Sequence, residues 1–526
     1  MGTHDIMEKE YIVILNPDID FDQFNQEMIN NTGAGVIPNR TVDVANPRPG
    51  SQRSTHYSLT DQEAEQLKND PRVRDVEIPP DQRDDIEIGF LASQSGNFTK
   101  TGSDSGNHLN WAMRRCMEST NPYGTSSVDP GGDFTYTLDG EGVDVVIQDS
   151  GLQVDHPEFE DADGVSRVQE IDWYDESGLT GTQSANHYRD FDGHGTHVAG
   201  TATGLTYGWA KNARIYSVKL GGLEGSGDSG GIPISNAFDV IKEWHNNKSV
   251  DETTGYKRPT IVNMSWGYSA SIGTSFDNIT SINYRGTTYD ENNDTRWNES
   301  NAYMSETYGF FPYQVWGNFR VPVRVASVDS DVEEMIAAGV HVCIAAGNNS
   351  FKVDVSTGTD YDNTLTSGGI TRNYHRGSSP YSDEAFMVGS VDSATHSGGL
   401  DRISSFSTRG PGITIWAPGS NIRSAFSDTN GHNDADYYLD SSFRQGSISG
   451  TSMATPQVTG LGATILQLNP HLTTAQLQQK MTNLAPNDVL HSTSSGTDYN
   501  DNRSLLNAPN KLLYTPFNSS FVLSAS

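Results

Sequence analysis

The chain has 526 residues, enough for more than one domain and a large core. Its 34 Lys and Arg stand against 67 Asp and Glu, a net charge of −33, which argues against nucleic acid or an anionic membrane as partner. No run is long and apolar enough to span a membrane, and residues 1–10 lack the apolar centre of a secretion signal. The sequence therefore reads as a soluble protein, compatible with an extracellular or virion-associated location.

In chain order, residues 1–80 read as a small α+β unit. Tyr11-Ile12-Val13-Ile14-Leu15 is a strand pattern. Thr60 is placed to cap a helix, with Glu63 three residues on to complete the reciprocal pair and Ala64 and Leu67 as its apolar side. Val73-Arg74-Asp75-Val76-Glu77 reads as a short edge strand. Residues 81–109 are largely polar and read as a linker. The third segment, 110–526, alternates strand and helix patterns, which predicts an α/β unit with a mostly parallel sheet between helices.

Three places in that segment carry chemistry. Val143-Asp144-Val145-Val146-Ile147 is a buried-strand pattern, and Asp149 follows at its carboxyl end, where open α/β sheets place their sites. His194 lies in Asp192-Gly193-His194-Gly195-Thr196-His197, flanked by glycines that permit close backbone approach. Ser452 follows a glycine turn in Ser449-Gly450-Thr451-Ser452-Met453-Ala454-Thr455-Pro456, a loop leading into a helix whose first turn tolerates proline. Free backbone N–H groups at such a helix start suit a nucleophilic serine, provided that a base reaches it. Histidine is the side chain whose pKa fits that task. His197 and His156 read as packed structural residues, and the other histidines lack metal-ligand spacing. The two cysteines, Cys116 and Cys343, do not indicate a disulfide. A helix over residues 330–338, stopped by Gly339, leads to the strand carrying Cys343 and on to Asn348.

The order Asp149, His194, Ser452 is the subtilisin order. Together with Asn263-Met264-Ser265-Trp266-Gly267, Ala345-Ala346-Gly347-Asn348 and Trp416-Ala417-Pro418-Gly419, it resembles the subtilisin-like serine proteases, or subtilases, most closely the proteinase K branch. The resemblance implies a three-layer sandwich and a serine endopeptidase working through an acyl-enzyme. Ser452 is then the nucleophile, His194 the base, Asp149 its orienting carboxylate and Asn348 the side-chain donor to the oxyanion. Ser265, Trp266 and Gly267 on one side, and Gly225, Ser226 and Gly227 on the other, would sandwich an extended peptide.

The resemblance further implies that residues 1–80 are an inhibitory propeptide, cut off somewhere between Ile78 and Trp111, and that the enzyme is a monomer acting on protein or peptide substrates. No cofactor is required. Calcium is common in the family, and Glu158 stands where some relatives have a ligand Asp, but no metal site is assignable. Two insertions, near 268–323 and 350–376, depart from the compact family pattern, the first rich in Tyr, Trp and Phe. They leave the floor of the specificity pocket unassigned, near Gly377 or Ser378. The competing reading is a catalytically silent structural or binding protein on the same scaffold.

Overall fold

The computed structural model describes residues 8–30, 40–83, 85, 87–90, 92–93, 111–123, 136–220, 230–252, 255–311, 314–315, 317–396, 398–429, 435–492, 499, 501 and 503–515. Its centre is a seven-stranded parallel sheet. From one edge to the other the strands are Ile415–Pro418, Phe386–Val391, His341–Ala345, Thr260–Met264, Asp144–Asp149, Arg214–Lys219 and Val168–Gln169. The inner strands are buried along their whole length, as parallel strands between helices must be. Helices His194–Thr203 and Thr451–Leu468 pack on each other, as do Ile234–Asn247 and Ala326–Ala337, giving the expected three layers.

The N-terminal unit is a four-stranded antiparallel sheet with two helices and its own apolar cluster, including Ile12's neighbours Tyr11 and Val13, with Phe24, Tyr57 and Leu67. The Thr60–Glu63 reciprocal cap is present, and Val73–Glu77 is the edge strand. This unit docks on the helices Ile234–Asn247 and Ala326–Ala337. Arg48, 3% exposed, is clasped by Asp239 through two hydrogen bonds of 3.0 and 3.1 Å and by Asp331 at 3.0 Å. Glu334 accepts from Ser51 and Gln52 on one side and pairs with Lys242 at 2.5 Å on the other.

Helix Ala326–Ala337 begins four residues earlier than the sequence suggests. Val325 at its start makes no side-chain cap; the Glu77 carboxylate of the N-terminal unit accepts from the N–H groups of Ala326 and Ser327 instead. A cap brought from 250 residues away leaves no local signal.

The two insertions form one structure. Strands Thr287–Tyr289 and Ile279–Tyr284 from the first pair with Thr364–Ser367 and Ile370–Asn373 from the second in a single antiparallel sheet. Arg285 and Asp360 join them by a salt bridge at 2.6 Å, and Lys352 and Tyr499 share the same carboxylate. The aromatic residues pack largely on one another, with Tyr308 at the centre of Tyr284, Tyr289, Trp297 and Tyr303. Tyr313 and Trp316 lie outside the described residues. The strand that begins at Trp266 does not end where the first insertion was expected to start, but runs through Tyr268 to Gly273.

Among the described residues no helix is long and apolar enough to cross a membrane. Cys116 and Cys343 are buried free thiols, each pushed up to about 12 by burial.

Candidate active site

Asp149 ends its strand fully buried, and its Oδ1 lies 2.8 Å from His194 Nδ1. A carboxylate only accepts, so Nδ1 carries the proton and Nε2 is the basic nitrogen of the neutral ring. Burial opposes charging of His194, but the Asp149 charge and hydrogen bond outweigh it, with Asp192 and Asp190 adding, so its pKa lies above the ordinary imidazole value.

The start of the His194 helix is held by groups the sequence reading passed over. Gly193 sits before it at φ +90° without a side-chain cap, a conformation that favours glycine. Asp190, buried, accepts from the N–H groups of Gly193 and Thr196, both at 2.8 Å, and from Ser150 Oγ at 2.8 Å. Ser150 Oγ in turn accepts from Gly195 N–H at 2.9 Å. A Cβ on Gly195 would clash with the Gly151 carbonyl oxygen. The residue after the catalytic-type aspartate thus braces the residue after the histidine. An aspartate followed three residues on by Gly193 was the available signal, but its cap lies ahead of a glycine rather than at the cap position itself.

Ser452 is the second residue of helix Thr451–Leu468, which follows strand Arg444–Gly450 directly rather than a loop. Pro456 is therefore not in the first turn but inside the helix. Gly450 supplies no cap; Asn348 does, its Oδ1 accepting from Thr451 N–H and Thr451 Oγ–H, both at 2.9 Å. With that oxygen committed, the amide end of Asn348 is its donor. Ser452 Oγ donates to the Ser265 carbonyl at 2.9 Å, and Ser265 Oγ donates to the Ser452 carbonyl at 3.1 Å.

Trp266–Gly273 carries a second strand on its edge. Glu87–Phe90 of the N-terminal segment pairs with it antiparallel, Phe90 opposite Trp266, Gly89 opposite Gly267 and Glu87 opposite Ser269. Two residues on, Ala92 and Ser93 pair with Gly450 and Ser449, immediately before the Ser452 helix. Gly225, Ser226 and Gly227 lie outside the described residues.

The remaining candidates are structural. His197 Nε2 donates to the Ile422 carbonyl at 2.9 Å, and burial pushes its pKa down to about 3. His156 bonds the Arg444 carbonyl at 2.9 Å. The buried Glu158 carboxylate accepts from Thr206 N–H and Tyr437 Oη–H, at 2.8 and 2.7 Å. Those donors turn hydrogens toward the oxygens a cation would need, so Glu158 does not fit a calcium ligand. No group of three or more His, Cys, Asp or Glu among the described residues is arranged to hold a metal ion.

The family model described as the subtilase family matches residues 140–507. An extracellular serine proteinase of Thermus sp. (strain Rt41A) is 26% identical over 465 residues, covering 88% of this chain and 76% of its own. A cuticle-degrading protease of Metarhizium anisopliae is 28% identical over 443 residues, covering 84% and 77%. Fervidolysin from Fervidobacterium pennivorans matches in fold with a TM-score of 0.53 at 18% identity, over 99% of this chain and 63% of that one. The family model covers well over half of the chain, which therefore belongs to the subtilases and is a subtilisin-like serine endopeptidase.

Proposed function

We propose that this endopeptidase works through Asp149, His194 and Ser452 and is made as a self-inhibited precursor. Ser452 Oγ turns from the Ser265 carbonyl to His194 Nε2, loses its proton there and attacks the scissile carbonyl. His194 then returns a proton to the leaving amine, and Asp149 stabilises the imidazolium in between. The oxyanion is met by the amide end of Asn348 and by backbone N–H at the start of the Ser452 helix. Ser265, Trp266 and Gly267 bind the substrate backbone by strand addition.

One observation carries the precursor reading. The N-terminal segment lies as a strand on Trp266–Ser269 up to Phe90, and is on the strand leading to Ser452 by Ala92. A segment that brackets the nucleophile on both sides occupies the place of a substrate. Residues 1–80 then serve as the inhibitor, and the bond to be cut is one of the two flanking Leu91. This narrows the expected window between Ile78 and Trp111. Protein substrates and an extracellular place of work are supported by the relatives' descriptions as an extracellular proteinase and a cuticle-degrading protease. A serine-reactive fluorophosphonate tests the reading: matured protein should be labelled at Ser452. Absence of label from matured protein would leave only a silent scaffold.

A further inference from the structure

The strand Trp266–Gly273 outruns its partner. Beyond Ser269, where Glu87 pairs, it continues to the sheet built by the two insertions. A cleft of about 340 Å³ opens there, lined by Ser271, Gly273, Asn278, Ser367 and Arg372 on the catalytic body and by Asp85 of the N-terminal segment. The Asp85 carboxylate meets the Arg372 guanidinium at 3.4 Å and also takes Arg83 at 3.0 Å. The Arg372 side chain is 8% exposed in this arrangement.

Arg372 is unusual in its choice of partner. The chain has 67 acidic against 34 basic residues, so an arginine on the catalytic body has carboxylates in plenty around it. Yet among the described residues the carboxylate that faces Arg372 is Asp85, and the other charge that reaches it is the like-signed Arg83. Both belong to the segment that processing removes. What stays behind is a guanidinium at the far end of the substrate strand, in a cleft made by insertions that depart from the compact pattern. A guanidinium is shaped to take a carboxylate.

Resting on the strand reading above, we infer that Arg372 forms a remote subsite that selects an acidic residue in protein substrates. The selected position is the sixth before the cleaved bond if Phe90–Leu91 is the bond that Asp85 precedes, and the seventh if it is Leu91–Ala92. A part-buried ion pair of this kind, reached through an open cleft, gives a modest preference, on the order of 2- to 10-fold, that salt screens.

The test uses the matured enzyme and quenched fluorescent peptides that differ only in carrying Asp, Asn or Lys at the sixth and seventh positions before the bond. The wild-type enzyme should cleave the Asp peptide with a kcat/KM about 2- to 10-fold above the Lys peptide, the gap shrinking in 1 M salt. The Asp-to-Lys ratio should flatten in Arg372→Gln and reverse in Arg372→Glu. Because the ratio is taken within each enzyme, a lower yield of active variant does not enter it. A wild-type ratio within twofold of one, or a ratio that Arg372→Glu leaves unchanged, overturns the subsite. A peptide that begins four residues before the bond separates the two readings. If wild-type enzyme cleaves it while showing no Asp preference, the subsite alone falls; if wild-type enzyme cleaves no peptide, the protease reading falls and takes the subsite with it.

Discussion

Ser452 and Ser265 hold each other by two hydrogen bonds, each hydroxyl donating to the other's carbonyl, at 2.9 and 3.1 Å. The second bond exists because of Pro456. A residue four positions after Ser452 would ordinarily donate its N–H to the Ser452 carbonyl, and proline has none. Ser265, immediately before the strand Trp266–Gly273, fills the gap. The backbone of the proposed nucleophile is thus fixed by the residue that precedes the proposed peptide-binding edge.

That pairing makes a prediction about stability. Ser265→Ala should leave the buried Ser452 carbonyl without its donor, at a cost of about 1–3 kcal/mol. Pro456→Ala restores an N–H to that carbonyl, so Ser265→Ala should cost less in its presence. Denaturation midpoints of the two single variants and the double variant, all in a Ser452→Ala background that prevents self-digestion, give the coupling. Equal costs in both backgrounds would contradict the account.

The pH profile reports on Asp149. As the proposed base, His194 works only when neutral, and its pKa is raised, burial being outweighed by the Asp149 charge and hydrogen bond. The kcat/KM should therefore fall as pH drops through a value above the ordinary imidazole figure of about 6.5. Asp149→Asn should move that limb to lower pH and reduce kcat by about 10⁴-fold, a size carried over from other serine proteases, subtilisin among them. A limb that stays in place would detach Asp149 from His194.

Asn348 caps the Ser452 helix with its oxygen, and in the proposed mechanism it separately offers its amide to the oxyanion. Asn348→Asp keeps the accepting oxygen and loses the donor. It should lower kcat by about 100- to 1000-fold, a range taken from subtilisin itself, with a melting temperature close to wild type. Asn348→Ala should lower kcat similarly and also cost about 1 kcal/mol of stability through the lost cap. Equal stability of the two variants would argue against the capping role.

Arg48 anchors the N-terminal unit. Arg48→Ala leaves Asp331 buried without its cation and Asp239 with Lys242 alone, at 3.7 Å, a change worth about 3–5 kcal/mol. The lag before a purified precursor becomes active should shorten markedly. The same cluster makes docking depend on pH. Burial raises the Asp331 pKa well above the ordinary carboxylate value; Arg48 opposes this, while Asp239 and Glu334 add to it, with Lys242 paired to Glu334 alongside. Departure of the N-terminal unit removes Arg48 from this carboxylate and is expected to let water reach it. Its pKa is then higher in the docked state, so its contribution to docking is full in acid and is lost as pH rises through that raised value. Residual inhibition by the cleaved N-terminal unit should be stronger at pH 5 than at pH 8, and inhibition that strengthens with pH would contradict this.

The parallel sheet and the places of Asp149 and His194 were legible because they rest on local patterns. Val145 to Ile147 read as a buried strand, and the glycines around His194 signalled close backbone contact. What escaped notice depends on distant partners. Asp190 acts through Ser150 and Thr196, Arg48 through two helices 191 and 283 residues away, and Glu77 caps a helix about 250 residues on. Pro456 misled because a proline six residues into a helix looks like one in the first turn until the preceding strand is seen to run straight into Thr451. The union of the two insertions into one sheet had no local mark either, since antiparallel pairing between segments some 80 residues apart is set by packing rather than by either segment alone.

The central claim is that Ser452 cuts the chain's own N-terminal segment where it crosses the site. Intact-mass and N-terminal sequencing of the purified protein test it, with Ser452→Ala in parallel. The account predicts a mature chain starting at Leu91 or Ala92 for the wild type and an uncut chain for Ser452→Ala. A mature N-terminus well away from Leu91, or the same cut in Ser452→Ala, would contradict it.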